Sequence, residues 1–228
     1  MMIRKMARTF SPVLVGVTFF AALNQTALAG PPLICHPFDI GGAKSLPWSG
    51  GAWTAIKKDY NINRLADDTL ALLASDMPVI VRMETLRRAA VYAMKDRGVA
   101  VELRSRLATR THKTNGKSSA LALFDLGYLE ETYKQMTHNS GNMSFAKNLD
   151  GYSSVVKAIE LRGGDAEMEF AAALIAVYPL RGSHDEHFRK AAIGATEGSL
   201  LARNLVTHFG NRGRSIAEIR ARLGIAKN

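Results

Sequence analysis

The residues best equipped for chemistry stand side by side. Cys35 and His36 open the stretch CHPFDIGGAKSLPW, and Cys35 is the chain's single cysteine. A neighbouring imidazolium favours the thiolate, which is both a nucleophile and a soft metal ligand. Adjacent side chains of an extended segment point apart, which works against a direct Cys–His couple. Covalent haem needs Cys-x-x-Cys-His, and Pro32 fills the first cysteine's slot, so no haem is expected. A lone cysteine in an exported chain is buried and inert, joined to another chain, or a free thiol; burial is the expectation.

A second candidate is His184 with His187, spaced i and i+3 in the first turn of a predicted helix, with His208 on a later one. Two imidazoles on one helical face can chelate zinc, but zinc wants at least three protein ligands and the local sequence supplies no third. No metal or other cofactor is therefore expected. Arg106, Arg110, Lys113 and Lys117 recur at spacings of 4, 3 and 4. If one helix carries them all, they form a basic stripe that either faces solvent or meets an anionic surface. Gly116-Lys117-Ser118 matches only the end of a phosphate-binding loop, because Thr111 replaces its first glycine and no strand precedes it. No G-x-S-x-G of a serine hydrolase occurs.

The elements that must position these residues begin with an export signal. Arg4, Lys5 and Arg8 precede a short apolar run from Ser11 to Leu23, and Ala27-Leu28-Ala29 supplies the small residues of a cleavage site. This is the pattern of a secretory signal peptide over residues 1–29, too short for a spanning helix. Ile34 and the distance from Ala29 argue against lipidation of Cys35. The expected address is the bacterial periplasm or the medium, with no membrane span after cleavage. The chain carries 30 Lys and Arg against 20 Asp and Glu, a net charge of +10. Outside the cytoplasm such an excess suits an anionic envelope component or an acidic protein partner, not nucleic acid.

Residues 30–51 hold four prolines and five glycines but also Leu33, Ile34, Phe38, Ile40, Leu46 and Trp48. So many large apolar side chains predict an extended arm packed across a body, not a disordered tail. Residues 52–228 read as helix after helix. A short helix is expected near Trp53 and another from about Asn63. Asp76 would cap a helix whose inner face is Val79, Met83, Leu86, Ala90 and Ala93, with Arg82, Arg87 and Arg88 off that face. A further helix from about Arg97 is followed by a polar loop over 112–117 and a helix from Ser118. Residues 137–148 predict a floppy loop. Asp150 and Asp165 would cap two helices separated by Gly163-Gly164, the second apolar nearly all round and therefore central. Ser183 with Glu186 and Ser215 with Glu218 have the spacing of capping boxes. A faint repetition relates Met83-Glu84…Ala90-Val91-Tyr92 to Met168-Glu169…Ala176-Val177-Tyr178. It fits stacked helix pairs.

Three segments, CHPFDIGGAKSLPW, MPVIVRMETLRRAAVYA and ALALFDLGYLEETYK, together resemble a family of exported bacterial helical-repeat proteins. The resemblance implies an envelope or secreted helical body and brings no catalytic residues with it. Leu126-Gly127-Tyr128 is more loosely similar to a tetratricopeptide repeat, without that repeat's Trp and closing Pro. The expectation is an all-α protein, a short solenoid-like stack of antiparallel helix pairs crossed by an extended arm. Its expected function is non-enzymatic binding of an unknown partner. The alternative is a thiol- or metal-dependent enzyme or redox protein using Cys35 and His36.

Overall fold

The computed structural model describes residues 32–73, 77–113, 116–137, 140–177 and 182–225. The signal segment, Asp76, Tyr178, Pro179 and Arg181 lie outside the described residues. Within them the protein is all-α: α1 (Pro32–Cys35), α2 (Leu65–Leu72), α3 (Val79–Ala93), α4 (Arg97–Lys113), α5 (Gly116–Met136), α6 (Gly151–Arg162), α7 (Ala166–Ala176), α8 (His184–Gly194), α9 (Leu200–His208) and α10 (Ile216–Arg222). Short 3-10 turns occupy Ile62–Arg64, Gly141–Ala146 and Gly210–Arg212. Successive helices pack in adjacent pairs, most extensively α4 on α5, α5 on α6 and α7 on α8. No described helix is long and apolar enough to cross a membrane.

Two helices form the centre. In α7 every residue from Met168 to Ala176 is buried, as its apolar circumference requires. In α3 every residue but Arg88 is buried, including Arg82, Glu84 and Arg87. The expectation that the α3 arginines sit off the apolar face holds, but for Arg82 and Arg87 that position is not solvent. The start of α3 at Pro78 receives no cap from its own N-cap side chain. Instead Glu167, at the start of α7, accepts the Ile80 amide at 3.0 Å. One helix thus caps another and fixes their mutual height.

Asp150 accepts from the Ser153 amide, and Asp165 from the amides of Glu167 and Met168, so both serve as the expected N-caps. Gly163 closes α6 in the left-handed region at φ 72°, which a side chain would strain. Other expectations are corrected. No helix forms at Trp53; a turn there returns Ile56 to an isolated bridge with Trp48. The polar loop shrinks because α4 continues to Lys113 and α5 begins at Gly116. The supposed floppy loop holds a 3-10 turn with Met143 and Ala146 buried, and Ser140 and Asn142 donate to the Met94 carbonyl. Apolar anchors outweigh that segment's polar composition.

Close packing of α5 on α6 rests on two facing glycines. A Cβ on Gly127 would lie 2.4 Å from the Gly151 carbonyl oxygen, and one on Gly151 would lie 2.1 Å from that of Gly127. The obstacle is backbone on each side, so a methyl group must push the helices apart. Overpacking of this kind costs about 1–3 kcal/mol or more. Gly127→Ala should lower the unfolding midpoint by several degrees, whereas Gly42→Ala, with nothing within 4 Å of its added methyl, should leave it nearly unchanged. Thermal unfolding followed by circular dichroism checks both.

Candidate functional site

The arm that carries Cys35 and His36 lies on α3, and a buried carboxylate organises the contact. Glu84 accepts from Nε and Nη2 of Arg87 at 2.7 and 2.8 Å, a two-pronged pair, and from Nε of Arg88 at 2.7 Å. It also accepts the backbone amide of Phe38 in the arm at 3.1 Å. The arginines then reach outward. Arg87 Nη1 donates to the carbonyls of Ile34 and Trp53 at 3.0 and 3.3 Å, and Arg88 Nη1 to that of Leu46 at 2.7 Å. One turn further, the Tyr92 hydroxyl donates to the Pro47 carbonyl and accepts the Lys57 amide. The Trp48 ring covers both guanidinium groups, 4.9 and 5.5 Å from its centroid. Residues 84, 87, 88 and 92 share one helical face. That face is devoted to the arm.

The arm's far side is held by α9. Asn204 accepts the Asp39 amide and donates to the Asp39 carbonyl, and Arg203 Nε pairs with Asp39 Oδ2 at 2.6 Å. Leu33, Ile34, Phe38 and Leu46 are buried in the common core. The greasy side chains expected to fasten the arm do so, and a polar lattice holds its backbone as well.

Within this setting Cys35 is half-buried at the end of α1, packed on core residues. Burial pushes its thiol up, and the nearby Arg87 charge only partly offsets this. No hydrogen bond joins it to His36 among the described residues. His36 buries Nε2 without a partner there, and its carbonyl faces His208 Nε2 at 3.3 Å.

The histidines nominated as metal ligands do not converge, and among the described residues no group of three or more His, Cys, Asp or Glu could hold a metal ion. His184 faces the Ala173 carbonyl with Nδ1 and Arg212 with Nε2. His187 faces Glu169 and Tyr152, and His208 faces the carbonyls of Asn204 and His36. The basic stripe is interrupted, because α4 ends at Lys113 and Lys117 belongs to α5. Arg106 pairs with Asp67 at 2.6 Å, and Arg110 reaches the buried Asp125 at 3.3 Å beside Arg82. Lys113 is exposed, and the side chain of Lys117 lies outside the described residues.

The structure adds a group that residue spacing did not reveal. Ser183, Tyr152, His187 and Glu169 form one hydrogen-bonded line, with steps of 2.6, 2.7 and 2.5 Å. The members come from α6, α7 and the entry to α8, so no local spacing announces them. The one local trace is Ser183. It makes no side-chain cap bond to α8, against its capping-box spacing, because its hydroxyl meets Tyr152 instead. At α10 the Ser215 cap does form with the Glu218 amide. Glu218 returns to the Arg214 amide and not to that of Ser215. No protein-family model, curated protein or solved structure matches the chain.

Two outcomes follow from this geometry. In Glu84→Gln two guanidinium groups lose their carboxylate, and breaking a buried ion pair costs about 3–5 kcal/mol. The arm should loosen, so a thiol reagent should label Cys35 at least about tenfold faster than in wild type under native conditions, a factor worth about 1.4 kcal/mol of opening. An unchanged rate would contradict the clamp.

Burial holds His208 down to about 4, opposed by bonds to the Asn204 and His36 carbonyls and by the nearby Glu84 carboxylate, with the His36 ring as its other titratable neighbour. It stacks on Phe38 at 4.6 Å. Since an unfolded histidine titrates near ~6.5, the unfolded chain takes up a proton that the folded one refuses between those values. Stability is therefore lost as pH falls through that window. Asp125 acts oppositely, because burial raises it to about 6 despite Arg82 and Arg110. Comparing His208→Gln with wild type cancels the Asp125 contribution. The variant should gain on wild type by about 3 kcal/mol between pH 7 and pH 4 in denaturant unfolding. A constant gap would contradict this.

Proposed function

We propose that the protein is an exported, helical-repeat binding protein of the bacterial periplasm or medium, whose partner is a protein or an anionic envelope component. The observation that carries the reading is the arm. Its thiol is not activated: Cys35 packs on the core with its thiol raised by burial, and among the described residues no hydrogen bond joins it to His36. The paired packing of successive helices fits a short solenoid-like stack, an architecture that offers broad surfaces to partners. The signal-like residues 1–29 and the family resemblance of the three segments supply the export half of the proposal.

The charge excess supports an anionic partner. Arg106 and Arg110 engage acids of the protein itself, so the stripe on α4 is not its best carrier. Lys44, Lys58, Lys95, Lys113 and Lys147 are exposed on the arm, the loops and helix ends. The alternative, a thiol- or metal-dependent enzyme built on Cys35 and His36, gains nothing from a thiol held in its neutral form.

Protein purified from Gly30 onward should co-sediment with vesicles rich in anionic phospholipid, or stay on an acidic polysaccharide matrix, and leave as salt screens the attraction. Cys35→Ser should bind equally well. Absence of binding to both, or a turnover that vanishes with Cys35→Ser, would overturn the reading.

A further inference from the structure

The line from Glu169 to Ser183 has the ordering of an acid–base relay. Its inner end is dry: Glu169 is 5% and His187 8% exposed. Its outer end, Tyr152 and Ser183, is only half-buried. One proton assignment accounts for all three bonds. The Glu169 carboxylate accepts from His187 Nδ1–H, the bare Nε2 accepts the Tyr152 O–H, and the Tyr152 oxygen accepts the Ser183 O–H. A carboxylate thus fixes the imidazole tautomer, the imidazole holds a hydroxyl proton, and that hydroxyl belongs to a half-buried tyrosine. These are the three roles of a base-activated nucleophile, which geometry identifies irrespective of chain order.

Two further observations fit. Ser183 stands at the N-cap of α8 yet leaves the cap unmade to bond Tyr152. Lys190, held by Glu186 at 2.7 Å, places its ammonium 3.9 Å from the second oxygen of Glu169, and the Tyr152 phenol lies within its field.

We propose that Tyr152 Oη is a base-activated acyl acceptor for carboxylic esters with a good leaving alcohol. This goes beyond the binding reading and stands on different residues. The Tyr152 oxygen attacks the ester carbonyl carbon while its proton passes to His187 Nε2. The tetrahedral intermediate collapses, the bond to the leaving alcohol breaks, and the imidazolium returns the proton to the departing oxygen. An acyl-tyrosine ester and a free alcohol result, with no net oxidation or reduction. Ser183 and Glu169 position the reacting pair.

The test uses the mature chain in a Cys35→Ser background, so that no thiol competes, with p-nitrophenyl acetate as the probe. The expected result is rapid release of about one equivalent of nitrophenol per protein and an acetyl group on Tyr152 by peptide mass spectrometry. Tyr152→Phe, which keeps the ring and removes only the hydroxyl, should lose the adduct. His187→Gln should slow its formation at least about 100-fold, in the range general-base catalysis contributes, and flatten the pH profile of the rate. No adduct at Tyr152, or one formed equally fast in His187→Gln, would overturn the proposal. An adduct confined to Lys190 or Ser183 would do the same. Circular dichroism of Tyr152→Phe keeps loss of fold apart from loss of chemistry.

Discussion

A carboxylate sealed from water must be matched by cations, and Glu84 is sealed completely. Moving such an ion out of water costs several kcal/mol, which only close, charge-assisted bonds can offset. Arg87 and Arg88 supply them, and doing so fixes both guanidinium planes. Their remaining N–H groups then need acceptors. The arm has the reciprocal problem, because an irregular, proline-rich backbone has no ladder to take its carbonyls. The carbonyls of Ile34, Leu46 and Trp53 answer the arginines. Two sets of groups, each costly to bury alone, become buriable together.

The same logic recurs in α7. Met83-Glu84 and Met168-Glu169 are the cores of the two faintly repeated segments, and each glutamate is the buried hub of a polar network. Glu84 gathers the arm. Glu169 gathers His187 and, through it, Tyr152 and Ser183. The networks differ in consequence. Around Glu84 the partners are permanent cations and backbone carbonyls, groups that hold shape. Around Glu169 they are an imidazole and hydroxyls, groups that can move a proton. Small residues let the helices come close enough for this, as with Gly127 against Gly151 and Gly194 against Ala166.

Much of the fold was legible because its signals are local. Asp150, Asp165 and Gly163 lie within a few residues of the groups they cap, and the apolar circumference of α7 can be read without a partner. What escaped was non-local. Arg82 and Arg87 look like solvated charges until Asp125 and the arm, remote in sequence, are in place. Glu84, Arg87, Arg88 and Tyr92 stand at helical spacing, and the arm's backbone needs acceptors and donors. Nothing short-range ties one to the other. The candidate site divides likewise. Cys35 and His36 drew notice as neighbours, whereas His187 drew it for a spacing to His184 that the structure does not use. Its partners lie on two other helices.

If Glu84 and its arginines make the arm part of the core, the arm should open only when the core does. Native-state amide hydrogen exchange tests this through Leu33, Phe38 and Asp39, whose amides donate to Gln135, Glu84 and Asn204. The account predicts that they exchange at the rate of global unfolding, together with the amides in the middle of α5 and α7. Fast exchange of the three arm amides beside a still-protected α5 and α7 would contradict it.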